Sequence, residues 1–123
     1  MPKTLKKKTI LVADDNQGIV ASLSMALKYG GYEVTSIMNG NEVKKIQAPF
    51  PDLILLDIWM ADVSGFDVCK SLKEREDTKD IPIVMISAFP GSDAGALQAG
   101  ANAFLEKPYS LNDMLTVVGK HVS

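Results

Sequence analysis

Short apolar runs alternate along this chain with longer stretches of helical period. The runs fall at residues 9–13, 33–37, 53–56, 83–86 and 103–105. The first, third and fourth are nearly continuous in Ile, Leu, Val and Met, the pattern of strands covered on both faces. The second and fifth are more mixed, which predicts edge strands. Between the runs lie amphipathic segments. Ile19, Leu23 and Leu27 recur at i, i+4 and i+8, with Val20 and Ala26 alongside, and Gly30-Gly31 then ends the helix. A short helix is predicted over residues 41–48, stopping before Pro49. Ser64 followed by Asp67 reads as the capped start of a third helix whose buried face is Phe66, Cys69 and Leu72. Residues 91–100 form a weaker fourth candidate, interrupted by Gly95. Ser110 with Asp113 opens the last helix, carried by Leu111, Met114, Leu115 and Val118.

Five β–α units in 123 residues predict one α/β domain. The expected architecture is a three-layer α/β/α sandwich around a five-stranded parallel sheet. In such sheets ligands bind beyond the carboxyl ends of the strands, at a switch point in strand order.

Composition narrows the classes. A single cysteine, Cys69, excludes an internal disulfide framework, and a single histidine, His121, excludes a histidine-cluster metal site. No apolar run approaches the ~20 residues of a membrane span, and no apolar segment of signal-peptide length follows the first lysines. The expected location is therefore cytoplasmic, without membrane insertion. Four of the 13 basic residues lie in the first eight positions; the rest carries nine basic and 15 acidic groups, a net of −6. That balance argues against a direct nucleic-acid partner. Residues 1–8 are expected to be a flexible basic leader and residues 9–122 the folded domain.

The candidate chemistry sits at the predicted strand ends. Asp14 and Asp15 follow the first run, Asp57 the third, Ser87 the fourth, and Lys107-Pro108 the fifth. Any one of these is ordinary alone: a carboxylate near a helix start, a turn residue, a surface lysine. Together they bring three carboxylates, a hydroxyl and an ammonium to one edge. Crowded carboxylates repel, and a hard divalent cation relieves the conflict. A cation, a lysine and a hydroxyl donor suit a phosphoryl group, with Asp57 as the candidate nucleophile.

Val12-Ala13-Asp14-Asp15-Asn16, Leu55-Leu56-Asp57-Ile58-Trp59-Met60, Gly65-Phe66, Ser87-Ala88, Ala99-Gly100-Ala101 and Phe104-Leu105-Glu106-Lys107-Pro108 together resemble the receiver domain of two-component response regulators. The resemblance implies the flavodoxin-like receiver fold with strand order 2-1-3-4-5. It implies Asp57 as phosphoacceptor, with Mg²⁺ (or Mn²⁺) held by Asp14, Asp15, Asp57 and the backbone carbonyl of Trp59. Lys107 would contact a phosphoryl oxygen. Ser87 would move to bond the phosphoryl group, and Phe104 would pack inward as the aromatic switch. The Lys107–Pro108 peptide would be cis. The implied phosphoryl donor is a histidine kinase or a phosphotransfer protein. The readout would be the face of helix 4, strand 5 and helix 5, offered to a downstream protein target by a monomer or by a phosphorylation-dependent dimer. Because the chain stops just after helix 5, a single-domain regulator is expected.

Several positions depart from the family's habit. Trp59 and Phe89 put two aromatic rings at the mouth of the expected site, where they would hinder water and lengthen the phosphorylated lifetime. Ala61 stands where the family often has proline, which predicts a looser loop. Phe104 lacks a tyrosine hydroxyl. Competing functions fare less well. A flavin carrier on this fold would need a hydroxyl- and Gly-rich phosphate loop after strand 1, not Asp14-Asp15-Asn16. An aspartyl-phosphate hydrolase would have a second Asp two residues after Asp57, where Trp59 stands. A phosphorylation-independent docking module is the remaining alternative.

Overall fold

The computed structural model describes residues 7–122, so most of the expected leader, together with Ser123, lies outside the described residues. Five strands form one all-parallel sheet in the order β2-β1-β3-β4-β5. They are β1 (Thr9–Ala13), β2 (Glu33–Ile37), β3 (Leu53–Asp57), β4 (Ile83–Ser87) and β5 (Ala103–Glu106). The helices are α1 (Gln17–Tyr29), α2 (Gly40–Lys44), α3 (Gly65–Glu74), α4 (Ser92–Gln98) and α5 (Leu111–His121). β3 and β4 are buried along their whole length, whereas β2 and β5 are the partly exposed edges. This is the expected flavodoxin-like receiver architecture, and its edge and centre strands follow the apolar pattern.

Strand alternation divides the core in two. Leu11, Ala13, Ile54, Leu56, Ile83 and Met85 face α2, α3 and α4 through Val43, Val68, Cys69, Leu72 and Ala96. Ile10, Val12, Leu53, Leu55, Val84 and Ile86 face α1 and α5 through Leu23, Leu27, Met114 and Val118. Burying each such aliphatic side chain stabilises the fold by about 1.5–3 kcal/mol. Both faces of β3 are therefore clamped, and its last residue, Asp57, rides on a rigid element.

The helix starts follow their cap residues. Asn16, Asn39 and Ser110 each accept a hydrogen bond from the backbone N–H three residues on, and Ser64 accepts from Phe66 and Asp67. α2 is shorter than the expected 41–48, ending at Lys44. Arg75 causes the early stop: its guanidinium donates to the carbonyls of Lys44 (2.7 Å) and Ile46 (2.9 Å), which fixes that backbone in a tertiary contact. α4 begins after Gly91, whose φ of +84° is the left-handed conformation that favours glycine. No helix among the described residues is long and apolar enough to cross a membrane.

Candidate functional site

The chain leaves β1 for β2 on one side and β3 on the other, so the switch point lies between β1 and β3. The carboxyl ends of these two strands carry the acidic residues. Asp14, Asp15 and Asp57 each bring one carboxylate oxygen to within 4.8 Å of the others. Asp14 and Asp57 are buried, and Asp15 is exposed. The Asp14 carboxylate accepts the Asn16 N–H (2.9 Å), which fixes it at the start of α1. Asp15 accepts the Ala61 N–H (2.7 Å).

That last contact corrects the expectation of a loose loop after β3. A proline at this position could not donate to Asp15, whereas Ala61 does. The next residue, Asp62, accepts from the N–H groups of Gly40 (3.0 Å) and Asn41 (2.9 Å) at the start of α2. The loop is thus tied to both β1 and α2. Gly65 packs α3 against the end of β3: a Cβ there would lie 2.5 Å from the Asp57 carbonyl oxygen and 2.7 Å from the Ile58 Cα. Only a residue without a side chain allows that approach.

Lys107 reaches in from the far side. Its ammonium lies 3.7 Å from Asp57 Oδ1, and its backbone N–H donates to the Ser87 carbonyl (2.8 Å), which ties it to the end of β4. The Lys107–Pro108 peptide is cis; so is Ala48–Pro49, which nothing in the sequence had marked. Burial, and after it the neighbouring Asp14 charge, pushes the Asp57 carboxyl up to about 6, with Lys107 pulling the other way. Burial likewise raises Asp14. Tyr109 is raised by burial and by the Asp14 and Asp57 charges, which makes it a neighbour of the site that the sequence did not single out. Three hard oxygen donors with so much unrelieved negative charge fit a hard divalent cation.

Ser87, the last residue of β4, is fully buried. Its Oγ meets the Phe89 N–H (3.0 Å), the Trp59 indole Nε1–H (3.2 Å) and Ser92 Oγ (3.1 Å). Neither Ser92 nor the indole contact was legible in the sequence, because both depend on how separate segments meet. Trp59 begins a bridge to Ser64, and its side chain is half exposed. Its ring packs edge-on against Phe89 (5.3 Å between centroids) and Phe66 (6.1 Å). Phe104 is half-buried against the core on the α2–α3–α4 side. Cys69 is fully buried, with its thiol pushed up to about 11 by burial, so it is an inert core residue.

The comparisons with known proteins agree with this geometry. The sequence pattern of the response regulator receiver domain matches residues 10–119. The DNA-binding dual master transcriptional regulator RpaA of Synechocystis is 35% identical over 89% of this chain and 46% of its own length. The polar-differentiation response regulator DivK of Brucella anthropi is 29% identical over 94% of this chain and 96% of its own. The chemotaxis protein CheY4 of Vibrio cholerae superposes with a TM-score of 0.86 at 27% identity, covering 94% of this chain and 99% of that one. The chain spans about half, or less, of the length of RpaA and the other longer relatives. On the match over residues 10–119, the chain belongs to the response regulator receiver domain family.

Proposed function

We propose that Asp57 accepts a phosphoryl group from the phosphohistidine of a histidine kinase or a phosphotransfer protein. A carboxylate oxygen of Asp57 attacks phosphorus, a P–O bond forms, and the P–N bond breaks to release the imidazole. Attack by water later returns inorganic phosphate and the free carboxylate. Asp14, Asp15, Asp57 and the Trp59 carbonyl would hold Mg²⁺ or Mn²⁺. When bound, the cation supplies positive charge that offsets the crowded carboxylates and the phosphoryl oxygens. Lys107 neutralises Asp57 before transfer and bonds a phosphoryl oxygen after it. Ser87 donates its hydroxyl to the phosphoryl group, Phe104 moves inward in response, and the face of α4, β5 and α5 changes for a downstream protein or a second copy. All of these groups lie within residues 9–122. The reading is that of a cytoplasmic signalling switch which assists its own phosphorylation and dephosphorylation.

One observation carries it: Asp57 sits at the buried end of β3, 3.7 Å from Lys107 and within 4.8 Å of both other carboxylates. The test is incubation with acetyl phosphate and Mg²⁺, read by intact mass. One phosphoryl group is expected on the native chain, and none on Asp57→Ala or with a chelator present. A native chain that gains nothing from acetyl phosphate or from a phosphorylated phosphotransfer protein leaves only the docking-module function.

A further inference from the structure

The hydroxyl of Ser87 has no capacity left for a new partner. Ser92 Oγ donates its one proton to the Phe89 carbonyl (2.8 Å). In the 3.1 Å contact between the two hydroxyls, Ser87 must then be the donor. The Ser87 oxygen meanwhile accepts from the Phe89 N–H and from the Trp59 indole N–H. One proton and two lone pairs are the whole inventory of a hydroxyl. The residue is also fully buried, so water does not compete for these bonds. Before Ser87 can donate to a phosphoryl group it must give up Ser92, and an Oγ that swings toward that group also leaves the Trp59 and Phe89 N–H donors.

Two of its three partners, one in the connection after β4 and one at the start of α4, follow it closely in the chain and can move with it. Phe89 and Ser92 lie two and five residues further along the chain. Trp59 does not. It comes from the loop after β3, 28 residues away, and its ring is wedged against Phe66 and Phe89. An indole N–H is a donor only, and a half-exposed ring can give its proton to water once Ser87 departs. The bond is therefore a restraint between two loops that breaks at modest cost.

We propose that Trp59 is a positioning residue: its indole N–H latches Ser87 in the retracted position, and the latch opens when Ser87 turns to the phosphoryl group. This rests on the phosphoacceptor function proposed above. It has a second consequence. The ring of Phe66, which touches Trp59, also abuts Gly95 of α4, where a Cβ would lie 2.8 Å from it. Opening the latch frees Trp59 at the point where the site meets α4.

Trp59 is the only tryptophan, so its indole gives a single ¹H–¹⁵N signal. In the unloaded protein, Ser87→Ala should shift that signal and speed its exchange with solvent. Loading native protein with beryllofluoride and Mg²⁺ should move the signal the same way. Trp59→Phe keeps an aromatic ring but removes the N–H, and about one hydrogen bond's worth of restraint should vanish. Phosphoryl gain from acetyl phosphate should then be about fivefold faster. In a Ser87→Ala background the same substitution should change nothing. If native protein gains the phosphoryl mass while its indole signal stays put, the latch is wrong and the phosphoacceptor function stands. If Trp59→Phe acts equally in both backgrounds, its effect is access to the site, and the latch is again wrong. If no phosphoryl mass is ever gained, the phosphoacceptor function fails, and the latch is judged on the unloaded proteins: an indole signal indifferent to Ser87→Ala overturns it.

Discussion

Asp57 combines three demands that conflict when no cation is bound: it is buried, it sits beside another buried carboxylate, and the proposed phosphoryl transfer requires it to ionise. Burial and Asp14 raise its folded pKa from 3.8 to about 6. Between those values the folded chain holds more protons than the unfolded chain. Stability must then fall as pH rises through that window, with the full penalty present at pH 7. The shift corresponds to roughly 2–3 kcal/mol. Asp14 is raised as well and acts with the same sign. In metal-free buffer the melting temperature should be higher at pH 5 than at pH 7. Asp57→Asn should be more stable than native at pH 7 and should lose most of that pH dependence. Asp62 and Asp77 have lowered values, so their contributions hold above the ordinary carboxylate range and disappear as pH falls below it. The curve should therefore turn down below about pH 4. Equal melting temperatures at pH 5 and 7 would refute this account. Trp59 teaches the complementary lesson. From sequence it is a bulky group two residues past Asp57; only the fold brings its N–H to Ser87.

At the scale of elements, α4 shows how a local rule can mislead. Gly95 breaks the helical pattern, and by propensity alone replacing it with Ala gains about 1 kcal/mol. In the folded chain a Cβ at Gly95 would sit 2.8 and 2.9 Å from two ring carbons of Phe66. Overpacking of that kind costs about 1–3 kcal/mol. Gly95→Ala is expected to leave stability unchanged or lower it, and to displace the Phe66 ring, as chemical denaturation and ring NMR shifts would show. A gain near 1 kcal/mol would mean that the ring moves aside freely. The helices that begin at Ser64 and Ser110 were readable because a cap is a local bond between a side chain and the next turn. The early end of α2 was not, because Arg75 reaches its carbonyls from about 30 positions away. The loop after β3 is a similar case. Ala61 looked like a loss of stiffness, yet its N–H holds Asp15, and Asp62 holds the start of α2.

For the molecule as a whole, the acidic pocket sets stability against binding. A cation that binds only the folded chain stabilises it by mass action, by about 2.7 kcal/mol at a hundredfold excess over its dissociation constant. Mg²⁺ should raise the melting temperature at pH 7. Asp57→Asn should start from a more stable baseline and gain less from Mg²⁺, two effects of opposite sign that a general loss of folding would not produce. A melting temperature indifferent to Mg²⁺ would remove the metal site from the mechanism. The molecule also carries an apolar face that no strand-end motif announced: Met25 and Tyr29 of α1, 74% and 92% exposed, stand beside Leu111 and Leu115 of α5. Sequence alone determined the five β–α units, the central and edge strands, and the residue types gathered at the carboxyl edge. Those follow from periodicity and from short-range bonding, which are written in neighbouring positions. The family resemblance supplied the strand order. The tertiary structure alone decided how the groups meet: the 3.7 Å approach of Lys107 to Asp57, the raised pKa, the close packing of Gly65 and Gly95, and the closed hydrogen-bond circuit around Ser87. Most join residues far apart in the chain, and in every case the distance, burial and hydrogen-bond capacity exist only once the loops have packed.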